Sequence, residues 1–323
     1  MLSRVPGWRL LGVGIAALLA LGCAPVPPHP QIDSLEPGFS GRLARAHLET
    51  MEGLYPRLPG SHGDKIARAY LAQEFSGVGA KLRVLVEGDR RHLFAEQKGV
   101  SDDVVLLVAA YPALQSGSWI DDSGAALLLE FARVLGSTRL PYTLGFALAE
   151  TRPAQTRPPD DPAGADPSWR PVLTPVAARG RLIEAGHSLA RAIEGEGGAR
   201  RVRAVIVFDT SAQAGLRVAR DLRSHPEFRR LFWESAAALG FGSMFPPEGD
   251  WTSPDSLHLG FRERSMDRVL ALVHVRAGLA DPAATRSPAD ALPAGMFGSI
   301  GAVTVEALTK LMRRFEKVDA FLR

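Results

Sequence analysis

Short apolar runs alternate along this chain with segments in which apolar residues recur at helical spacing. The run at 103–110 is continuous and rich in β-branched residues, which is typical of a central strand buried on both faces. Further strands are predicted at 81–86, 92–96, 144–149, 202–208 and 269–275. Helical spacing is found at 45–79, around a turn-rich stretch at 57–63, and at 123–135, 182–193 and 301–321. This order predicts an α/β fold, a three-layer sandwich around a central mixed, largely parallel sheet.

The first 22 residues have the pattern of a secretory signal. Arg4 and Arg9 precede an uncharged run at 10–22, which is shorter than the roughly 20 residues that span a bilayer and ends in small residues before Cys23. The segment resembles a bacterial lipoprotein signal, so we expect residues 1–22 to be removed and Cys23 to carry lipid. The alternative is an ordinary signal peptide followed by a chance cysteine.

Residues 23–43 are predicted to be a lipid-anchored tether, because four prolines between positions 25 and 30 favour an extended chain. The expected location is the cell envelope, on the periplasmic side or the surface of the outer membrane, since Ala24 stands where an Asp would favour retention at the inner membrane. Residues 44–323 are predicted to form one domain. Residues 151–180, with seven prolines, form a loop insertion at the rim of its cleft.

Charge and cysteine content limit the partners and the metal ligands that this chain can have. The 38 basic residues exceed the 35 acidic ones by three, and two of the basic residues belong to the predicted signal, so we expect no nucleic-acid partner. Membrane contact is expected through the lipid only. Cys23 is the only cysteine, which excludes an intrachain disulfide and a thiolate zinc site. Histidines and carboxylates are the remaining candidate metal ligands.

Acidic residues gather where the predicted strands end. Asp121, Asp122, Glu150 and Asp209 follow apolar runs, and His258 precedes the last one. Ligands of α/β sheets sit beyond the carboxyl ends of the strands, and such an oxygen-rich set can hold zinc. Each residue also has a simpler interpretation. Asp121 or Asp122 can be a helix cap, and Glu150 and Asp209 can be solvated loop residues. His258 can be a surface side chain or an internally hydrogen-bonded one.

The order of the motifs resembles that of M28-type zinc aminopeptidases and the related glutaminyl cyclases. The similarity extends over about residues 48–321 and rests on the segments 55–61, 94–109, 123–133 and 286–290. It implies the same α/β fold, a metal site at the sheet edge, and a substrate or partner with a peptide or protein amino terminus.

The resemblance also implies an incomplete metal site. Where relatives have a histidine ligand after the central strand, this chain has Ala110-Tyr111-Pro112, and a Glu-Glu pair of relatives corresponds to Glu150-Thr151. At most one zinc ion is therefore expected, held by Asp121 or Asp122 together with Glu150 and His258. A single Glu150 cannot be both a metal ligand and the proton-transfer group.

Two functions follow from this comparison. In the first, the chain is a reduced single-zinc aminopeptidase or glutaminyl cyclase-like enzyme, in which Glu150 and Asp209 are catalytic and Asp209, itself a candidate ligand, takes the α-amino group or the proton. In the second, it is a catalytically inactive relative. Its cleft, lined by Trp119, Trp251 and the proline-rich loop, would then bind a peptide, a cell-wall fragment or another protein.

Overall fold

The computed structural model describes residues 25–31, 38–112, 122–152, 181–209, 216–248, 250–253, 255–264, 266–276 and 294–321. The helices are α1 (Gly41–Glu52), α2 (His62–Gly77), α3 (Ser123–Gly136), α4 (Arg181–Gly195), α5 (Pro226–Ala238), α6 (Leu257–Arg262) and α7 (Ala294–Phe321). The strands are β1 (Lys81–Glu87), β2 (Arg90–Gln97), β3 (Ser101–Pro112), β4 (Tyr142–Thr151), β5 (Val202–Asp209), β6 (Leu216–Asp221), β7 (Asp250–Trp251) and β8 (Val269–Arg276).

The eight strands form one mixed sheet in the order β1-β2-β4-β3-β5-β8-β6-β7. Its centre is parallel, because β4, β3, β5 and β8 run side by side in one direction. The pairs β1–β2, β2–β4 and β6–β8 are antiparallel. The carboxyl ends of β3, β4 and β5 therefore meet at one edge of the sheet, the edge at which a ligand site is expected.

Helices cover both faces of this sheet. Residues Val105 and Leu107 of β3 belong to one buried cluster, which also contains side chains of α1, α2, α3, α5 and α7. The alternate residues Val104 and Leu106 belong to a second cluster with side chains of α4 and α6. Because successive side chains of a strand point to opposite faces, both faces of β3 are buried. The predicted three-layer sandwich is confirmed.

The helical pattern predicted at 45–79 is divided into two helices. A turn separates α1 from α2, and Ser61 caps the second helix by accepting a hydrogen bond from the Asp64 backbone N–H (3.3 Å). The closing helix is longer than predicted and begins at Ala294. A Cβ atom at Gly301 would lie 2.0 Å from the ring of Phe39, so this glycine lets the chain before α1 pack closely against α7.

Four elements were not predicted. They are β6, β7, α5 and the short helix α6, and α6 contains His258 and lies between β7 and β8. His258 therefore reaches the site from a helix rather than from a strand end. Among the described residues, no helix combines the length and apolar character needed to cross a bilayer.

Candidate functional site

The carboxyl edge of the sheet brings several predicted site residues into one region. Glu150 pairs with Tyr111 across the last residues of β4 and β3, and Asp209 ends β5. Asp122 occupies the N-cap position of α3, where its side chain makes no capping hydrogen bond. These three acids therefore lie at the strand ends, as predicted. Each of them, however, contacts another side chain of the protein.

Glu150 is held by arginines. Its side chain is 1% exposed. Arg68 Nη2 and the backbone N–H of Arg91 donate to Oε2 (2.8 and 2.9 Å), and Arg152 Nε donates to Oε1. Both carboxylate oxygens thus accept hydrogen bonds from cationic side chains, which are the stronger kind of hydrogen bond. The two arginines in turn contact further acids, Asp64 and Asp89.

A buried histidine supports the strand that carries Glu150. The Glu150 backbone N–H donates to Nδ1 of His92 (3.0 Å), so the ring proton lies on Nε2, which is 2.9 Å from Ser188 Oγ. Burial lowers the pKa of His92 to about 3, and the charge of Arg90 contributes in the same direction. His92 is therefore neutral and serves as a fixed hydrogen-bonding support.

Asp122 forms a fully buried ion pair with Arg57. Arg57 Nη2 donates to Asp122 Oδ2 at 2.5 Å, and both side chains are 0% exposed. The guanidinium stacks on the ring of Tyr55 at 3.9 Å and lies 5.3 Å from the ring of Tyr111. Burial by itself would lower the pKa of Arg57, but the charge of Asp122 and the contacts with the two tyrosines hold it above its usual value. This cation neutralises a carboxylate that the sequence assigned to zinc.

Tyr111 is the middle residue of the Ala110-Tyr111-Pro112 segment, in which relatives were expected to supply a histidine ligand. Its ring is buried, and its hydroxyl donates to Asp64 Oδ1 at 2.7 Å. Arg68 lies over the same ring, 4.8 Å from its centre. The segment that lacks the family's histidine ligand thus contributes an aromatic side chain that contacts two arginines.

Asp209 and His258 are linked through a serine. Ser256 Oγ donates to Asp209 Oδ2 and lies 2.6 Å from His258 Nδ1, and the Leu257 backbone N–H donates to the same Asp209 oxygen (3.2 Å). Burial raises the pKa of Asp209 to about 6, and the hydrogen bond from Ser256 partly offsets that effect. Asp209 keeps an exposed portion, whereas Ser256 and His258 are completely buried.

The other nitrogen of His258 faces an acid that the sequence reasoning missed. His258 Nε2 lies 3.0 Å from Asp221 Oδ2, close enough for an ion pair but poorly aligned for a hydrogen bond. Asp221 also accepts hydrogen bonds from Ser224 Oγ and from the Ser253 backbone N–H, both at 3.0 Å. Burial would raise the pKa of Asp221, yet its contact with His258 and these hydrogen bonds lower it below its usual range. These contacts with Ser256 and Asp221 favour the interpretation of His258 as an internally bonded histidine.

These residues do not fit a zinc ion at the sheet edge. Within the described part of the chain, only one group of three or more histidines or carboxylates has its ligand atoms within 4.8 Å of one another. It consists of His29 in the segment 25–31, His47 on α1 and Glu74 on α2, away from the sheet edge. The predicted ligands are not brought together in this way, because each one contacts another side chain. Arginines bind Asp122 and Glu150, Ser256 binds Asp209, and Asp221 lies beside His258. Among the described residues, this edge therefore offers no set of ligands for a catalytic zinc ion.

The remaining predicted residues are placed as follows. Asp121, Trp119 and Cys23 lie outside the described residues, as does nearly all of the loop 151–180. Trp251 is half-buried on β7, at the end of the sheet and three strand positions from β5, or roughly 14 Å. It is thus remote from the Glu150 cluster.

Comparison with solved structures shows which proteins share this fold. A glutaminyl cyclase from an Acidobacteriales bacterium superposes with a TM-score of 0.65 at 18% identity, covering 89% of this chain and 100% of that protein. The glutaminyl cyclase of Porphyromonas gingivalis gives 0.67 at 18% identity, covering 84% and 99%. A Zn-dependent exopeptidase from Parabacteroides distasonis gives 0.63 at 17% identity, covering 83% and 97%. Comparisons with protein-family models and with curated protein sequences gave no match.

Proposed function

We propose that this chain is an exported lipoprotein whose α/β domain binds the amino terminus of a peptide or protein, without zinc-dependent catalysis. The fold is that of glutaminyl cyclases and Zn-dependent exopeptidases, but the edge of the sheet is built from arginine–carboxylate pairs. The observation that carries the proposal is Glu150, whose two side-chain oxygens are both bound by arginines.

Neither chemical role predicted for Glu150 suits this arrangement. A zinc ligand must offer a carboxylate oxygen at about 2 Å from the ion, and a general base must offer a lone pair to the proton that it removes. At Glu150 three of the roughly four lone-pair positions accept hydrogen bonds, from Arg68, Arg152 and the Arg91 backbone. The single-zinc alternative would further require Asp122 to leave Arg57 and His258 to leave Asp221.

Asp209 supplies the group that would bind the ligand. It ends β5, keeps an exposed portion, and accepts both of its hydrogen bonds through Oδ2. A protonated α-amino group would gain a charge-assisted hydrogen bond from this carboxylate. We therefore assign Asp209 to recognition of an amino terminus, and we assign the attachment of the domain to the envelope membrane to lipid on Cys23.

Binding of fluorescent peptides tests the ligand class. We expect saturable anisotropy changes with peptides that have a free amino terminus, and a loss of at least about tenfold in affinity when that amine is acetylated or when Asp209 is changed to Asn, because one charge-assisted contact of about 1.5–3 kcal/mol is removed. Asp250→Asn is the matched control, since Asp250 is an exposed aspartate on β7. Equal binding of free and acetylated peptides would refute the assignment.

Enzyme assays test the absence of zinc-dependent catalysis. We expect no release of amino acids from aminoacyl anilides and no cyclisation of peptides with amino-terminal glutamine, with or without added zinc. Turnover that requires zinc and is abolished in Glu150→Gln, while that variant stays folded, would replace this proposal with the single-zinc enzyme.

A further inference from the structure

The segment that precedes the domain lies against its helical face. Residues 25–31 have no regular secondary structure, and Val26 packs in a partly buried position against the main core cluster. Three residues later, the half-exposed side chain of His29 reaches Glu74 of α2, with Nδ1 2.6 Å from Oε2. The segment predicted as a lipid-anchored, extended tether thus contacts the domain at a defined point.

A second histidine completes a group of three metal-binding side chains. The ring of His47, on α1, lies 5.7 Å from the ring of His29 between centres, at an angle of 63°. One ligand atom from each of His29, His47 and Glu74 lies within 4.8 Å of the other two. Ligands of a tetrahedral zinc ion lie about 3.4 Å from one another, so the three ligand atoms need to draw together by at most about 1.4 Å to reach that spacing.

The carboxylate of Glu74 has an unmet hydrogen-bonding requirement. Glu74 is 8% exposed, and within the described residues its ion pair is with His29 through Oε2. Its other oxygen, Oε1, is buried and has no hydrogen-bond partner among those residues. A buried carboxylate oxygen without a partner is costly, and a cation bound beside it would satisfy it.

His47 is oriented as metal-binding histidines usually are. Its Nδ1 lies 2.6 Å from the hydroxyl of Tyr70, so Nε2 is the nitrogen available to a metal. Histidine ligands usually have their second nitrogen fixed by such an outer contact, which sets the direction of the ring. Tyr70 is therefore a positioning residue for this site.

We propose that His29, His47 and Glu74 bind one Zn²⁺ ion, which fastens the N-terminal segment to α1 and α2. Two imidazoles and one carboxylate are an established zinc ligand set, with a water molecule in the fourth position. The site is separate from the sheet edge, because Glu74 lies six residues, or about 9 Å of helix, beyond Arg68 on α2. Its ligands come from three segments, so the ion cross-links parts of the chain that are distant in sequence.

Such a link would fix how the domain is held near a membrane. His29 lies six residues after Cys23, so with lipid on Cys23 only a short length of chain would separate the anchor from the zinc site. Zinc would thus limit the orientations of the domain. Loss of zinc would leave the segment held only by the His29–Glu74 contact and the packing of Val26.

Zinc stoichiometry tests this site. The full chain, purified in detergent, is equilibrated with ZnCl₂, desalted and measured by inductively coupled plasma mass spectrometry. We expect about one equivalent in the unmodified chain and less than about a tenth of an equivalent in His29→Ala and in Glu74→Gln. His62→Ala, an exposed histidine at the start of α2, is the matched control and should retain the ion. His29→Ala changes a half-exposed side chain outside every helix and strand, so its fold should be intact.

Two further measurements separate this site from other zinc sites. In a chelator competition assay, Tyr70→Phe should weaken zinc binding by about 10–100-fold, because it removes the contact that orients His47. Amide hydrogen exchange should show that zinc protects the backbone N–H groups of Val26, His29 and Gln31, the non-proline residues of 25–31, in the unmodified chain but not in Glu74→Gln. Zinc below about a tenth of an equivalent in the unmodified chain, or full zinc retention in His29→Ala, would overturn the proposal. Since neither result depends on Asp209 or Glu150, the site at the sheet edge is tested independently.

Discussion

Glu150→Gln distinguishes a structural carboxylate from a catalytic one. The substitution keeps the shape of the side chain but removes the charge that Arg68 and Arg152 bind. A hydrogen bond to a charged group contributes about 1.5–3 kcal/mol. Both arginines keep another acid, Asp64 or Asp89, and both are 18% exposed, so the lower value applies to each. We expect the free energy of unfolding to fall by about 3 kcal/mol.

Urea unfolding followed by circular dichroism measures this loss. The midpoint should fall with an unchanged slope, and the melting temperature should drop by about 6 °C for a chain of this size. Glu49→Gln is the control, because Glu49 forms an exposed pair with Arg45 one turn away on α1 and should contribute less than about 0.5 kcal/mol.

The opposite outcome has a clear meaning. Residues kept for function are often neutral or unfavourable for stability, so their replacement leaves stability unchanged or raises it. If Glu150→Gln is as stable as the unmodified chain, or more stable, the arginines do not hold this carboxylate as described.

Three further substitutions test neighbouring parts of the site. Arg57→Met removes the cation from the buried carboxylate of Asp122 and should lower the free energy of unfolding by about 3–5 kcal/mol in urea titrations, and an effect below about 1 kcal/mol would be inconsistent with a buried ion pair. His92 has its pKa lowered to about 3 in the folded chain against 6.5 in the unfolded one, so the unfolded state takes up the proton first. This one group should contribute a loss of about 2 kcal/mol of stability between pH 7.5 and 5, and His92→Gln should remove that contribution from the pH dependence. Gly186→Ala places a Cβ atom 2.1 Å from a backbone carbonyl of α6 and should cost about 3 kcal/mol, whereas Gly195→Ala, with open space around it, should melt within about 1 °C of the unmodified chain.

The centre of the sheet could be predicted because its signal is local. Each strand from β3 to β5 is a continuous apolar run, and burial on both faces allows no polar alternation. The elements between β5 and β8 were harder to predict from the sequence. There α5 has buried Phe228, Leu231 and Phe232 at helical spacing after a proline at its first position, a signal that could have identified it.

The structure places three predicted acids, Asp122, Glu150 and Asp209, at the carboxyl edge of the sheet, but their chemistry could not be deduced from spacing. The partner of Glu150 on α2, Arg68, is 82 residues away in the chain, and Asp122 is 65 residues from Arg57. A strand-end carboxylate has the same sequence pattern whether its partner is zinc or an arginine. Only the three-dimensional structure shows which cation is nearby.

The group on α1 and α2 was missed for the same reason. His29 lies in a proline-rich stretch that predicts an extended tether, and its contact with Glu74 joins residues 45 positions apart. His47 and Glu74 lie within amphipathic helices, where buried polar residues do not reveal their partners. The spacing of these residues matches no common metal-binding motif.

Anomalous diffraction at the zinc absorption edge, from crystals of the zinc-equilibrated full chain, tests the central claim most directly. The account predicts one peak bounded by His29, His47 and Glu74, with Glu150 still bound to Arg68 and Arg152 and no peak beside it. A zinc peak coordinated by the carboxylate of Glu150 would contradict the account.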